Sequence, residues 1–129
     1  MKRFKILVAE DDDLVAELIV QVLARNNFDV VRSADGEAAL AQVIQFKPDA
    51  IVLDTMMPGL DGTEVLQELA KSLITRHIPV MILSARSNAA DMVHGFDFGA
   101  RDFMAKPFKP EELVTRLRRM LMSAKDWET

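Results

Sequence analysis

Five short apolar runs, each followed by a segment with helical hydrophobic spacing, constrain this chain more than any other feature. The runs are Ile6-Leu7-Val8-Ala9, Val30-Val31, Ala50-Ile51-Val52-Leu53, Val80-Met81-Ile82-Leu83 and Phe103-Met104-Ala105. Three of them are almost continuously apolar and rich in β-branched residues, as strands buried on both faces of a parallel sheet should be. The helical segments carry apolar faces. These are Leu14, Val15, Leu18, Ile19, Val22 and Leu23, then Ala38, Ala39, Val43 and Ile44, then Val65, Leu66 and Leu69. Met92, Val93 and Phe96 make a fourth, and Leu113, Val114, Leu117 and Leu121 a fifth. Asp12 or Asp13 is placed to cap the first helix and Asn26-Asn27 to end it, while Pro48 stops the second. Pro110 stands near the start of the fifth, where its missing N–H costs little. This (βα)5 order implies an α/β fold: a doubly wound, five-stranded parallel sheet with right-handed crossovers and helices on both faces.

A chain of 129 residues holds one such core and is too short for two. We expect a single domain over residues 1–124 and a polar C-terminal tail over 125–129. The net charge of -4 argues against direct nucleic-acid binding by this chain. No cysteine is present, which excludes disulfides and thiolate metal sites and suits a cytoplasmic address. The basic start, Met1-Lys2-Arg3-Phe4-Lys5, precedes an apolar run that stops at Glu10. That run is too short for a signal-peptide core, and no stretch approaches a membrane span.

In open α/β sheets ligands bind beyond the carboxyl ends of the strands. Those ends carry Glu10-Asp11-Asp12-Asp13 after the first run, Asp54 after the third, Ser84 after the fourth and Lys106-Pro107 after the fifth. Ser33 ends the second. Carboxylates forced together repel one another and invite a divalent cation, and oxygen-only ligands select Mg²⁺, Mn²⁺ or Ca²⁺ over Zn²⁺. An aspartate beside such an ion can attack a phosphoryl group. A lysine and a hydroxyl then suit the remaining phosphoryl oxygens, as point charge and neutral donor.

Four blocks carry a resemblance. Ile-Leu-Val-Ala-Glu10-Asp11-Asp12, Leu-Asp54-Thr-Met-Met-Pro58-Gly59-Leu-Asp61-Gly62, Leu-Ser84-Ala85-Arg and Lys106-Pro107-Phe108 resemble, in order and spacing, the signature blocks of response-regulator receiver domains of two-component signalling. The resemblance covers essentially the whole chain. It implies the flavodoxin-like strand order 2-1-3-4-5, which puts Ser33 at a sheet edge. It implies that Asp54 accepts a phosphoryl group from a sensor histidine kinase or phosphotransfer protein. The chain would then be no enzyme beyond its own Mg²⁺-dependent phosphorylation and dephosphorylation. The metal set would be Asp11, Glu10 through water, Asp54 and the backbone carbonyl of Met56. Ser84 would be the switch hydroxyl, Lys106 the phosphate-contacting lysine, and Phe103 the aromatic switch residue, more often Tyr in the family. Output would pass through the surface of the fourth helical segment, the fifth strand and the fifth helical segment. Asp102, Glu112 and Arg116 there resemble the charged positions of symmetric receiver dimers, although Met92 replaces a usual basic residue. Weak, phosphorylation-dependent homodimerisation is expected. Receiver domains also suggest a cis Lys106–Pro107 peptide, and X–Pro bonds are where cis is cheap.

Plainer roles suit other residues. Asp12 and Asp13 read as helix-capping and first-turn residues, Asp61-Gly62 as turn and helix entry, Phe108 as packing, and the methionines as core and helix-face filler. His77 and His94 have no second ligand at helical spacing and read as surface residues. Three rival functions fit the sequence less well. A nucleotide- or flavin-binding enzyme needs a Gly- and Ser/Thr-rich phosphate cradle after the first strand, where this chain has four acids. An aspartyl phosphatase of the haloacid-dehalogenase type needs a second Asp where Met56 stands. A receiver that works without phosphorylation would not need the full set of site residues, all of which are present.

Overall fold

The computed structural model describes residues 3–85 and 99–127, with side chains described as far as Met122. The fourth helical segment (Met92, Val93, Phe96) and His94 lie outside the described residues. β1 (Lys5–Ala9), β2 (Asp29–Ser33), β3 (Ala50–Asp54), β4 (Val80–Ser84) and β5 (Asp102–Ala105) form one parallel sheet, in the order β2-β1-β3-β4-β5. This is the expected order. The register brings Ala9 level with Ser33 and Leu53, Asp54 with Leu83, and Ser84 with Ala105. Every strand end that carries a chemical group therefore reaches the same edge of the sheet.

Alternate strand residues feed two cores, because successive side chains point to opposite faces. On one face Ile6, Val8, Val52, Met81 and Leu83 pack with Ile19 and Leu23 of α1 (Asp13–Arg25). Leu113, Leu117 and Leu121 of α4 (Pro110–Trp127) complete that layer. On the other face Leu7, Ile51, Leu53, Ile82 and Phe103 meet Ala39 and Val43 of α2 (Gly36–Phe46). Val65, Leu66 and Leu69 of α3 (Gly62–Lys71) close the second core. β3 and β4 are buried along their whole length, which is why they read as unbroken apolar runs.

The helix ends follow the expected chemistry. Asp12 caps α1, its Oδ1 accepting from the amides of Leu14 (2.9 Å) and Val15 (3.1 Å), and Asn26 closes it. Asp61 and Glu64 form a reciprocal capping box at α3. Phe108 is half-buried against the first core, and the Lys106–Pro107 peptide is cis. Three features differ from the sequence pattern. Leu14 (80% exposed), Leu18 and Ile44 face outward, so the apolar stripes of α1 and α2 are wider than the sheet covers. Met56 and Met122 are also exposed, whereas Met57, Met81, Met104 and Met120 are core residues. Finally, α4 runs on to Trp127, into the stretch expected as tail, because no Pro or Gly interrupts 123–127.

Candidate functional site

Just past the strand ends, three of the four ladders hold a rim residue by its backbone. Glu10 donates its N–H to the Ser33 carbonyl (3.0 Å), Thr55 to Leu83 (3.2 Å) and Lys106 to Ser84 (2.8 Å). The side chains of Glu10, Asp11 and Asp54 then converge, with one carboxylate oxygen from each within 4.8 Å of the others. Glu10 and Asp54 are 1% and 3% exposed, and Asp11 is open to solvent. The Lys106 ammonium lies 2.5 Å from Glu10 Oε1 and 3.5 Å from Asp54 Oδ1. Met56 donates its backbone N–H to Asp54 Oδ1 at 3.2 Å.

Burial raises the pKa of Asp54 to about 7, with the hydrogen bond and negative charge of Glu10 acting in the same direction. The Met56 amide and the Lys106 ammonium pull it back only in part. For Lys106, burial works against the charged form, but the Glu10 and Asp54 carboxylates outweigh it and leave the pKa above the ordinary lysine value. A small hard dication fits this arrangement. The side-chain donors are all carboxylate oxygens, and a bound charge would offset the repulsion that burial leaves among them.

Ser84 is buried at the same edge, and its Oγ accepts a hydrogen bond from Thr55 Oγ1 at 2.9 Å. Phe103 lies level with Ile82 in β5, two residues before the rim, and is 7% exposed. Since Ile82 and Ser84 point to one face of the sheet, Phe103 shares that face with the hydroxyl. Asp12 and Asp13 stay with α1 as cap and first-turn residue, and His77 is exposed. Ser33, at the sheet edge, is buried with no hydrogen-bond partner for Oγ among the described residues. Two neighbours of the site were not singled out from sequence: Arg32, bonded to the carbonyls of Glu10 and Asp11, and Thr55. The one available hint was an arginine following two valines near the end of the second strand, with four consecutive acids after the first.

Residues 6–118 match the response regulator receiver domain. The chain belongs to that family. The receiver domain is 39% identical over 117 residues to the phosphate regulon transcriptional regulatory protein PhoB of Escherichia coli (strain K12), which covers 91% of this chain and 51% of PhoB. It is 40% identical over 117 residues to the alkaline phosphatase synthesis transcriptional regulatory protein PhoP of Bacillus subtilis (strain 168), covering 91% of this chain and 48% of that protein. The chain thus spans about half the length of the curated relatives it matches. Among solved structures, the BeF3-activated N-terminal receiver domain of RstA from Klebsiella pneumoniae superposes with a TM-score of 0.85 at 32% identity. That match covers 91% of this chain and 97% of the RstA chain. This is the receiver domain of a two-component response regulator, a signalling protein with an acidic cluster suited to Mg²⁺. Among its described residues no helix is long and apolar enough to cross a membrane.

Proposed function

We propose that this receiver accepts a phosphoryl group on Asp54 from a sensor histidine kinase or phosphotransfer protein, in a Mg²⁺-dependent reaction in the cytoplasm. The observation that carries the reading is the Asp54 carboxylate itself, 3% exposed, grouped with Glu10 and Asp11 and 3.5 Å from the Lys106 ammonium. Asp54 Oδ attacks phosphorus, the bond from phosphorus to the donor nitrogen breaks, and the donor imidazole leaves. Asp11, Asp54 and the Met56 carbonyl would hold the metal directly and Glu10 through water. When bound, Mg²⁺ neutralises charge between the nucleophile and the incoming phosphate.

The chain's own groups do the remainder. Lys106 supplies a fixed positive charge to one phosphoryl oxygen and Ser84 a neutral hydrogen bond to another. The product carries about -1.5 to -2 charges and three acceptor oxygens at the rim. Ser84 is drawn toward them, and Phe103, on the same face, turns into the space released. The surface around β5 and α4 then changes. By the relatives' names, the output that surface would govern is transcription, through a partner or effector and not by nucleic-acid binding of residues 1–124 themselves.

Acetyl phosphate with Mg²⁺ should add one acid-labile phosphoryl group, read by intact mass, and Asp54→Ala should abolish it. Equal labelling of Asp54→Ala would reject Asp54 as the acceptor. Mg²⁺ affinity should fall far more in Asp11→Asn than in Asp13→Asn, because Asp13 already belongs to α1. Comparable losses in both would place the metal elsewhere.

A further inference from the structure

Arg32 is the penultimate residue of β2 and belongs to none of the groups assigned above. Its guanidinium crosses to the β1–α1 loop. Nε and Nη2 donate to the Glu10 carbonyl at 3.0 and 2.8 Å, and Nη2 also donates to the Asp11 carbonyl at 3.3 Å. Nη2 lies 2.8 Å from Asp13 Oδ1 as well, but that carboxylate is 89% exposed, so the ion pair is strongly screened. The carbonyl bonds are the specific part. β2 ends at Ser33, whose carbonyl has already taken the Glu10 N–H. The fork of Arg32 supplies the donors that a longer strand would have offered to the next carbonyls.

The consequence reaches the carboxylates. Glu10 is held at every polar atom: N–H by Ser33, carbonyl by Arg32, Oε1 by Lys106, and Oε2 by the Asp12 amide at 3.4 Å. Asp11 has no such set among the described contacts, and the one group on its carbonyl is Arg32. Its side chain nevertheless reaches the Asp54 cluster from an exposed position. We infer that Arg32 is a positioning residue for the metal site: by fixing the Glu10 and Asp11 carbonyls against β2, it turns their carboxylates toward Asp54. This rests on the proposed Mg²⁺ site and deepens it.

Charge alone predicts the opposite effect. A guanidinium near a dication repels it, so deleting Arg32 would tighten Mg²⁺ if electrostatics ruled, and loosen it if positioning rules. The test is calorimetric titration of Mg²⁺ into the metal-free chain as wild type, Arg32→Gln, Arg32→Lys and Asp13→Asn. Amide exchange of residues 10–12 would be measured without metal. Groups behind metal ligands are worth about 10–100-fold in affinity, so a loss of roughly tenfold is expected in Arg32→Gln. Arg32→Lys should also lose affinity, since lysine keeps the charge but not the planar fork. Asp13→Asn should stay within about twofold of wild type, and amide exchange at Asp11 and Asp12 should quicken in both Arg32 variants. Wild-type affinity in Arg32→Lys, or tighter binding in Arg32→Gln, would overturn the inference. No Mg²⁺ binding by the wild type would instead overturn the metal site and the inference with it. A melting curve for each variant separates lost binding from lost folding. Should Arg32→Gln fail to fold, Arg32→Lys decides.

Discussion

The carboxyl of Asp54 makes stability depend on pH in a direction opposite to that of an ordinary surface acid. Its pKa is raised by burial from 3.8 to about 7 in the folded chain. Between those values the folded chain keeps a proton that the unfolded chain has released, so this group's contribution falls as pH rises through the window and is level outside it. Asp54→Asn should therefore stabilise the metal-free protein at pH 8, by something on the order of 2–4 kcal/mol, with the gain vanishing near pH 4. Urea denaturation of both proteins at pH 4.5, 6 and 8 would show it, and a gap that ignores pH would discard burial as the cause. Thr55 offers a second test. Its hydroxyl engages Ser84 Oγ, the same atom proposed to turn toward a phosphoryl oxygen. One neutral hydrogen bond contributes about 0.5–1.5 kcal/mol, so Thr55→Val should tighten beryllofluoride binding roughly two- to tenfold. Unchanged affinity would mean that Thr55 does not restrain the hydroxyl. The gathering of Asp54, Ser84 and Lys106 at one edge was legible in sequence because all three stand at the ends of apolar runs that a parallel sheet aligns. Arg32 and Thr55 were not. Arg32 acts on the β1–α1 loop and Thr55 on Ser84, and such contacts exist only once β1 lies beside β2 and β3 beside β4 in a fixed register.

At the level of elements, two glycines show how closely the helices approach the rim. A Cβ on Gly62 would sit 2.6 Å from both the Asp54 carbonyl oxygen and the Thr55 Cα, and one on Gly36 would collide with the Leu60 carbonyl oxygen. The obstacles are backbone and cannot rotate away. Gly62→Ala should cost about 1–3 kcal/mol and displace the end of β3, lowering urea midpoint and phosphorylation rate together. An unaltered midpoint would show that α3 can move aside. From sequence, Asp61-Gly62 read correctly as a helix entry, but the reason for glycine there is the tightness of the α3–β3 contact. The helix stripes gave the converse error. Periodicity marks apolar residues without saying how far the sheet extends beneath them, so Leu14 and Leu18 were grouped with Ile19 and Leu23. Leu23→Ala should cost about 2–5 kcal/mol and Leu14→Ala no more than about 0.5 kcal/mol in the same denaturation assay.

For the whole molecule, the alternation of runs implied the parallel sheet, since βαβ crossovers leave few topologies open, and the resemblance to receiver domains implied its order, β2-β1-β3-β4-β5. The charged surface beside β5 was harder to foresee. Arg116 is already paired within its own chain, with Asp102 at 2.8 Å and Glu112 at 3.1 Å. Self-association through that face would exchange these contacts for equivalent ones across a two-fold axis, and the net gain is small. Sedimentation should accordingly find a monomer without beryllofluoride and a weak dimer with it. A monomer in both, at high concentration, would assign the face to a different partner. The contact between Lys106 and Glu10 has a further consequence, in the order of events during folding. The two residues are separated by 96 positions, and they meet only after β5 has docked at the far side of the sheet from β2. Contacts so distant along the chain form late, because loop closure precedes any reward. Until then Glu10, Asp11 and Asp54 can gather without the ammonium that sits between two of them. Lys106 thus marks completion: before β5 docks, the chain lacks the ammonium beside Glu10 and Asp54, and on the proposed reading only a chain folded from first strand to last would take up a phosphoryl group.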